Sequence, residues 1–474
     1  MQVDEKSVND GLAAQLRGAV SGEVLVAGDA GYDAGRAVYF TAIDRRPDVI
    51  VRPADAADVA RVVTIARETG SGLAVRNGGH SFACHGVRDG GIVLDTRSLR
   101  GLEIDVERRV ARAGAGLSAG EYTTAAGAHG LATGFGDAPS VGISGITLGG
   151  GIGFLHRRHG MTIDHLLGAE VVTADGRIVR ADAHSHEDLF WAIRGGGGSF
   201  GVVTQLEYRL EPVDRVLGGM LMLPATPESL VTLLEQAYTA PDELSLIAAV
   251  MPAPPMPFIP AEAHGSMIMM VTLVYAGDIA AGERVIAPFR ALATPLLDAV
   301  RPMRYPEIYD GHADAPHPAA VTLHPRFIEA LDVAAAARLF ERLRTGTAPM
   351  RMAQFRPLGG AVSRVPSDAT AYAHRDRHFI ATTGAMFEQP EQREEFAAWA
   401  AAAAADPEDG APGAYVGFLG AEGDARIGEA YPGATGARLA RIKQQYDPTN
   451  LFAGNHNVGA SGAHGRSPAA AALM

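Results

Sequence analysis

Between Gly142 and Gly153, seven of twelve residues are glycine or serine: Gly142, Ser144, Gly145, Gly149, Gly150, Gly151 and Gly153. Glycine costs a helix about 1 kcal/mol relative to alanine and leaves a strand with nothing to pack. The run therefore predicts neither element, but an irregular backbone wall held against a bound group. Two shorter stretches share the character. Arg76-Asn77-Gly78-Gly79-His80-Ser81 breaks directly out of the apolar run Leu73-Ala74-Val75, and Arg194-Gly195-Gly196-Gly197-Gly198-Ser199-Phe200-Gly201 feeds Val202-Val203. Successive glycines let backbone N–H groups converge into a nest that suits pyrophosphate oxygens. For Asn77-Gly78-Gly79 taken alone, a plain tight turn is the competing reading.

A nicotinamide dinucleotide site does not fit these glycines. Gly196, Gly198 and Gly201 have the G-x-G-x-x-G spacing, but an alternating strand follows where the phosphate-binding helix should start. Gly114-Ala115-Gly116-Leu117-Ser118-Ala119 stands between a strand and a helix. That strand, however, carries Arg109 and Arg112, unlike a buried parallel strand, and the acid some twenty residues on, Asp137, lies in a Gly-Phe-Gly loop.

Other classes fall away on composition. The chain has 474 residues, 47% of them apolar, enough for two or three domains with large cores. Lys and Arg number 41 against 54 Asp and Glu, a net charge of −13, which disfavours nucleic acid and anionic membrane as partners. A single cysteine, Cys84, excludes an internal disulfide and a thiolate zinc cage, and no metal site is expected. No apolar run reaches the roughly 18–20 residues of a membrane span, and the polar start lacks a signal pattern, so a cytoplasmic location is expected.

Along the chain, residues 33–45 read as a polar helix, 48–51 as a strand, and 55–69 as a helix with Asp55 and Asp58 as cap and dipole partners. A strand at 91–95 precedes an alternating stretch at 102–113. A helix at 117–129 stops at Gly130, a hairpin with an Asp-Gly turn spans 169–179, and a strand covers 201–210. After Val213 the pattern mixes strands (267–275, 350–355, 379–386) with helices (227–237, 332–343, 389–405) and includes a stiff proline loop at 252–257. A short helix at 439–445 and a tail from Gly459 complete the chain.

Taken together these segments resemble the FAD-linked oxidases of the vanillyl-alcohol oxidase and berberine-bridge-enzyme-like superfamily. The resemblance runs from Arg52-Pro53 through 76–80, 142–155 and 188–203, and ends in Tyr446-Asp447-Pro448-Thr449-Asn450-Leu451-Phe452 and Asn455-His456-Asn457. It implies an α+β, two-domain, PCMH-type FAD-binding fold. The FAD domain would be discontinuous, built from residues 1–213 and 431–474. The substrate domain, 214–430, would be an antiparallel sheet with helices on its back. The cofactor contacts implied are Arg76, Asn77, Gly78, Gly79, His80, Ser81, Ala138, Val141, Gly142, Ser144, Gly145, Gly149, Gly150, Gly153, Gly201, Val202, Val203, Asn455 and Asn457. His80 takes the position of a covalent histidyl link to the flavin 8α-methyl, which raises the flavin potential. Ala138 stands where some relatives carry a cysteine for a second link, so none is expected. Valine at 141 favours access of O2 to the flavin, while His85 and Cys84 have no matching role.

The implied reaction is removal of a hydride from a C–OH or C–N bond of a small cyclic or natural-product molecule, with O2 reduced to H2O2. A flavin-holding protein without turnover, or a dehydrogenase with another acceptor, are the alternatives. In many relatives a carboxylate precedes a Gly-Gly turn on a substrate-domain strand; here Gln354 takes that place before Gly359-Gly360 and cannot act as a base. Period-2 alternation puts Gln354, Arg356 and Met352 on one face. Arg356 there either pairs an acidic or phenolate substrate or points to solvent. Tyr431 and His456, with Tyr309 and His324, are the remaining candidates for handling a proton; an amine would need no base.

Overall fold

The computed structural model describes residues 5–255, 259–312, 317–407 and 412–459. Part of the proline loop (Met256 and Pro257) and the tail beyond Gly459 lie outside the described residues.

Three sheets position the site. The first has the order Glu23–Leu25, Val49–Arg52, Ile92–Asp95, Leu73–Arg76, parallel except for the first strand. Val49, Ile50, Val51, Ile92, Val93 and Leu94 are all fully buried, the continuous apolar run that a parallel strand covered on both faces requires. The helix Ala56–Thr69 packs Val59, Val62, Val63 and Ala66 on this sheet, and Asp55 caps it by accepting from the Asp58 N–H. Asp58 does more than complement the helix dipole. Its buried carboxylate accepts N–H bonds from Ser21 at 3.0 Å, Gly22 at 2.8 Å and Ala54 at 2.9 Å, which ties the first strand to the helix.

The second sheet is antiparallel, in the order Leu102–Asp105, Val110–Gly114, Val202–Arg209, Leu166–Val172, Ile178–Asp182. The alternating stretch at 102–113 is thus a hairpin. The C-terminal helix Gly433–Tyr446, longer than the 439–445 expected, buries Leu439, Ile442 and Tyr446 in the core of this sheet, and Phe452 packs against the first.

The third sheet has eight antiparallel strands, among them Arg215–Pro224, Leu244–Pro252, Met267–Tyr275, Ala320–Ile328, Met350–Pro357 and Phe379–Phe387. The helices Pro227–Thr239, Ile279–Arg290, Val333–Thr345 and Arg393–Ala404 cover one face, over Leu217, Leu221, Val271, Ala353 and Phe355. The other face is covered in part, Val216, Ile247 and Val274 packing on Phe154, Leu155 and Tyr305, and in part lines the cavity described below.

Two expectations fail. The polar helix at 33–45 shrinks to Tyr32–Arg36, because the backbone beyond it is used elsewhere. Tyr39 N–H donates to Gly79 O at 3.1 Å, and Thr41 and Ala42 N–H donate to Pro318 O and Ala319 O at 3.1 and 3.0 Å. The glycine run at 142–153 holds a helix, Ile143–Gly149. Tertiary packing supplies what propensity withholds. Ile143 and Thr147 are fully buried, and Thr147 Oγ1 bonds Ile143 O at 2.6 Å and the Tyr208 hydroxyl at 2.7 Å. Gly142 and Gly150 fall at the helix ends, and Gly150 has a φ of 123° open to glycine alone.

Candidate active site

A cavity of about 1130 Å³ lies between the glycine-rich segments and the helix-free face of the eight-stranded sheet. One side is backbone: Asn77, Gly78, Gly79, His80 and Ser81; Ala138, Val141, Gly142, Ser144, Gly145 and Gly149; Gly201, Val202 and Val203. The loops at 77–81 and 140–144 interlock. A Cβ on Gly142 would overlap Asn77 Oδ1 and one on Gly78 would overlap Gly142 N, while Ser144 Oγ donates to Asn77 Oδ1 at 3.1 Å. Glycine is required here because two backbones touch. The opposite side is side chain: Met350, Met352, Gln354 and Arg356 from one strand, with Thr382 and Met386 from its neighbour. Ala353 and Phe355 turn to the helices, so the period-2 reading of this strand describes it correctly.

His80 stands on the wall between the two sides. Its Nε2 is 3.0 Å from Ser140 Oγ, and its ring stacks on Tyr39 at 4.0 Å, which in turn meets His317 at 4.6 Å. Burial, with a smaller effect of His317, pushes its pKa down to about 4, so the imidazole is neutral at neutral pH. The C-terminal turn brings in Asn455, whose Nδ2 donates to Gly198 O at 3.1 Å, and His456, held neutral by burial with a pKa of about 4. Four bonds hold that turn in place: Lys443 Nζ donates to Ser199 O at 2.9 Å and pairs Asp447, which accepts from the Leu451 and Phe452 N–H groups.

Arg356 does not reach out to solvent. Its Nη2 pairs Asp137 Oδ2 at 2.5 Å, its Nε and Nη2 donate to Gln354 Oε1 at 3.1 and 2.9 Å, and its guanidinium covers the Phe418 ring at 4.9 Å.

Five of the residues named from the sequence are not brought to the cavity. The Arg76 guanidinium turns inward to the Ala34 and Gly35 carbonyls that end a short helix. Gly150 packs on Met161 and Tyr415, and Gly153 lies against the Phe135 carbonyl. Tyr431 is buried with its hydroxyl donating to Gly195 O at 3.2 Å, and Asn457 likewise lies off the cavity wall. Of the further proton-handling candidates, Tyr309 donates to Gly136 O at 2.9 Å and His324 faces Glu422 at 3.3 Å. Sequence reasoning missed Asp137, Tyr39, His317, Tyr415, Phe418 and His85, all on the wall. His85 meets His456 edge to face at 4.6 Å, and burial holds its pKa well below the usual value.

Residues 47–182 match the FAD binding domain family, and residues 414–459 the berberine and berberine-like family. An uncharacterized FAD-linked oxidoreductase of Bacillus subtilis (strain 168) is 30% identical over 452 residues, spanning 91% of this chain and 97% of its own. The chain belongs to the berberine-bridge-enzyme-like FAD-linked oxidoreductases. (R)-6-hydroxynicotine oxidase of Paenarthrobacter nicotinovorans is similar at 29% identity over 463 residues, 94% of this chain and 98% of that protein. The crystal structure of 6-hydroxy-D-nicotine oxidase from Arthrobacter nicotinovorans superposes with a TM-score of 0.83 at 26% identity, covering 93% and 98% of the two chains. The fold of this FAD-dependent oxidoreductase is accordingly the α+β, PCMH-type FAD-binding fold.

The residues present fit FAD. The cavity exceeds the roughly 300–1,000 Å³ of a site for one drug-sized ligand, leaving room for a dinucleotide and a substrate. At Gly145 no atom beyond its chain neighbours and its own helix backbone lies within 4 Å of where a Cβ would stand, so a side chain there would enter the cavity and not the core.

Proposed function

We propose that this protein is an FAD-dependent oxidase acting on a C–OH or C–N bond of a small cyclic or natural-product molecule. Bound FAD would supply the two-electron redox chemistry, taking up the hydride lost by the substrate and giving the electron pair with two protons to O2 as H2O2. The observation that carries this reading is the continuity of one cavity from a glycine-lined backbone wall, across His80, to the open face of the sheet that bears Met352, Gln354 and Arg356. Residues 1–213 and 431–474 would hold the cofactor, and residues 214–430 would receive the substrate.

The chain's own groups have separable tasks. The 77–81 loop, the 141–149 segment, Gly201, Val202, Val203 and Asn455 would seat the dinucleotide. We assign His80 to covalent attachment: it is neutral, so a ring nitrogen keeps its lone pair, and Ser140 and Tyr39 fix its plane. Ala138 has no sulfur for a second link, and valine at 141 leaves a narrow side chain on the path of O2. Gln354 cannot take a proton, and its amide oxygen is already used by Arg356. His456 lines the cavity, but burial makes its cation costly. With Tyr431, Tyr309 and His324 held elsewhere, none of the candidates named from the sequence is a strong base facing the cavity. That favours an amine, whose own lone pair assists hydride loss.

Gln354 in place of an acid is also what favours the second reading, a flavin-holding protein without turnover. Anaerobic mixing with a panel of alcohols and amines separates the two. Bleaching of the flavin band near about 450 nm, with peroxide on readmission of air, is the expected result. Bleaching without peroxide indicates a dehydrogenase, and no bleaching with any compound indicates the flavin holder.

A further inference from the structure

We propose that Arg356 is the donor that selects the substrate, and that Asp137 tunes it to a neutral oxygen, a hydroxyl or carbonyl, and against a carboxylate. This rests on the reading above that the sheet side of the cavity receives the substrate.

The guanidinium is held on one edge and one face. Nε and Nη2 share Gln354 Oε1, Nη2 also pairs Asp137 Oδ2 at 2.5 Å, and the plane lies over Phe418. Its side chain is only 5% exposed. Nη1 has no hydrogen-bond partner among the described residues, yet it is not one of the buried polar atoms left without one. Arg356 lines the cavity, so the Nη1 N–H groups open into it. Arginine does not lose its charge in proteins, so this is a permanent donor with a fixed direction.

Its charge, however, is already spent. Arg356 is the one lysine or arginine among the described lining residues, and Asp137 sits against it. Glu388 is a second acid on the wall, and His80 and His456 are neutral. An ionised substrate carboxylate entering here would lose its water and meet a pair of near-zero net charge, with Asp137 repelling it. A hydroxyl or carbonyl oxygen loses far less solvation and still gains a charged donor. Met350, Met352 and Met386 beside it offer an apolar, deformable bed for a ring.

Isothermal titration calorimetry of the flavin-loaded protein with acetophenone, benzyl alcohol and sodium benzoate tests this. The wild type should bind acetophenone at least tenfold more tightly than benzoate. Asp137→Asn, which leaves the arginine uncompensated, should tighten benzoate tenfold or more, while Asp137→Glu keeps the wild-type order. Benzoate binding the wild type as tightly as the neutral probes, or Asp137→Asn weakening all three in parallel, overturns the proposal. Wild-type ranking alone decides the matter if the asparagine variant does not fold. Because heat reports binding without flavin reduction, a protein that never turns over can still rank the probes as stated. One that turns over but prefers benzoate refutes only the assignment of Arg356.

Discussion

At the scale of single residues, burial and partner identity decide what each side chain can do. His80 was legible in the sequence as a histidine behind Arg-x-Gly-Gly at a strand end. Its neutrality was not, because that depends on burial and on His317, more than two hundred positions away in the chain. If it carries the flavin, acid-denatured wild-type protein should pellet yellow, and His80→Ala should release essentially all the colour to the supernatant. Flavin released from the denatured wild type would defeat the covalent assignment while leaving FAD binding intact. Arg76 and Asp137 show the opposite failure. The arginine belongs to the expected motif, yet its guanidinium turns to the Ala34 and Gly35 carbonyls. Asp137 sits in full view between Gly136 and Ala138, but its partner Arg356 lies 219 residues on, and no local pattern announces such a pair.

At the scale of elements, periodicity read well where a sheet imposes it and poorly where packing overrides propensity. The strand Met350–Pro357 alternates as expected, since one face is covered by helices and the other faces the cavity. The 142–153 run does not stay irregular, because buried Ile143 and Thr147 anchor a turn that its glycines alone would not form. Gly145 sits inside that helix with nothing beyond its chain neighbours and the helix backbone within 4 Å of its missing Cβ. Gly145→Ala should therefore leave the stability of flavin-free protein, followed by its melting temperature, unchanged or raised by up to about 1 kcal/mol of helix propensity. It should lower the fraction of flavin carried, measured as the ratio of visible to 280 nm absorbance. A variant that melts lower and keeps full flavin would mean the position serves packing and not the cavity.

At the scale of the whole molecule, bringing many segments around one cavity buries imidazoles that must stay neutral. His80 and His456 have pKa values pushed to about 4 and His85 lies well below 6.5, in each case chiefly through burial. Between pH 6.5 and 4 the unfolded chain binds protons that the folded one refuses, so stability is complete above pH 6.5 and falls as the pH drops through that window. For His456 the loss at pH 5 is roughly 2 kcal/mol. In flavin-free protein the urea midpoint should decline steadily from pH 7 to pH 5, and a flat profile would show these rings to be solvated. Asp58 adds its own loss only at lower pH. Burial alone would raise its pKa, but the Ser21, Ala54 and Gly22 N–H groups and Arg61 outweigh that and hold it below the usual carboxylate value. Among the described residues no helix is long and apolar enough to cross a membrane.

The order of the glycine-rich segments, the histidine after the first of them, the alternation of the Met350–Pro357 strand and the missing cysteine at Ala138 all come from covalent neighbours. Local chain chemistry alone was enough to settle these. Which glycines face the cavity, where the Arg356 charge goes, and which tyrosines and histidines are left to touch a substrate depend on groups far apart in the chain. Hydrogen-bond direction and burial are properties of that assembled contact, so only the tertiary structure could decide them.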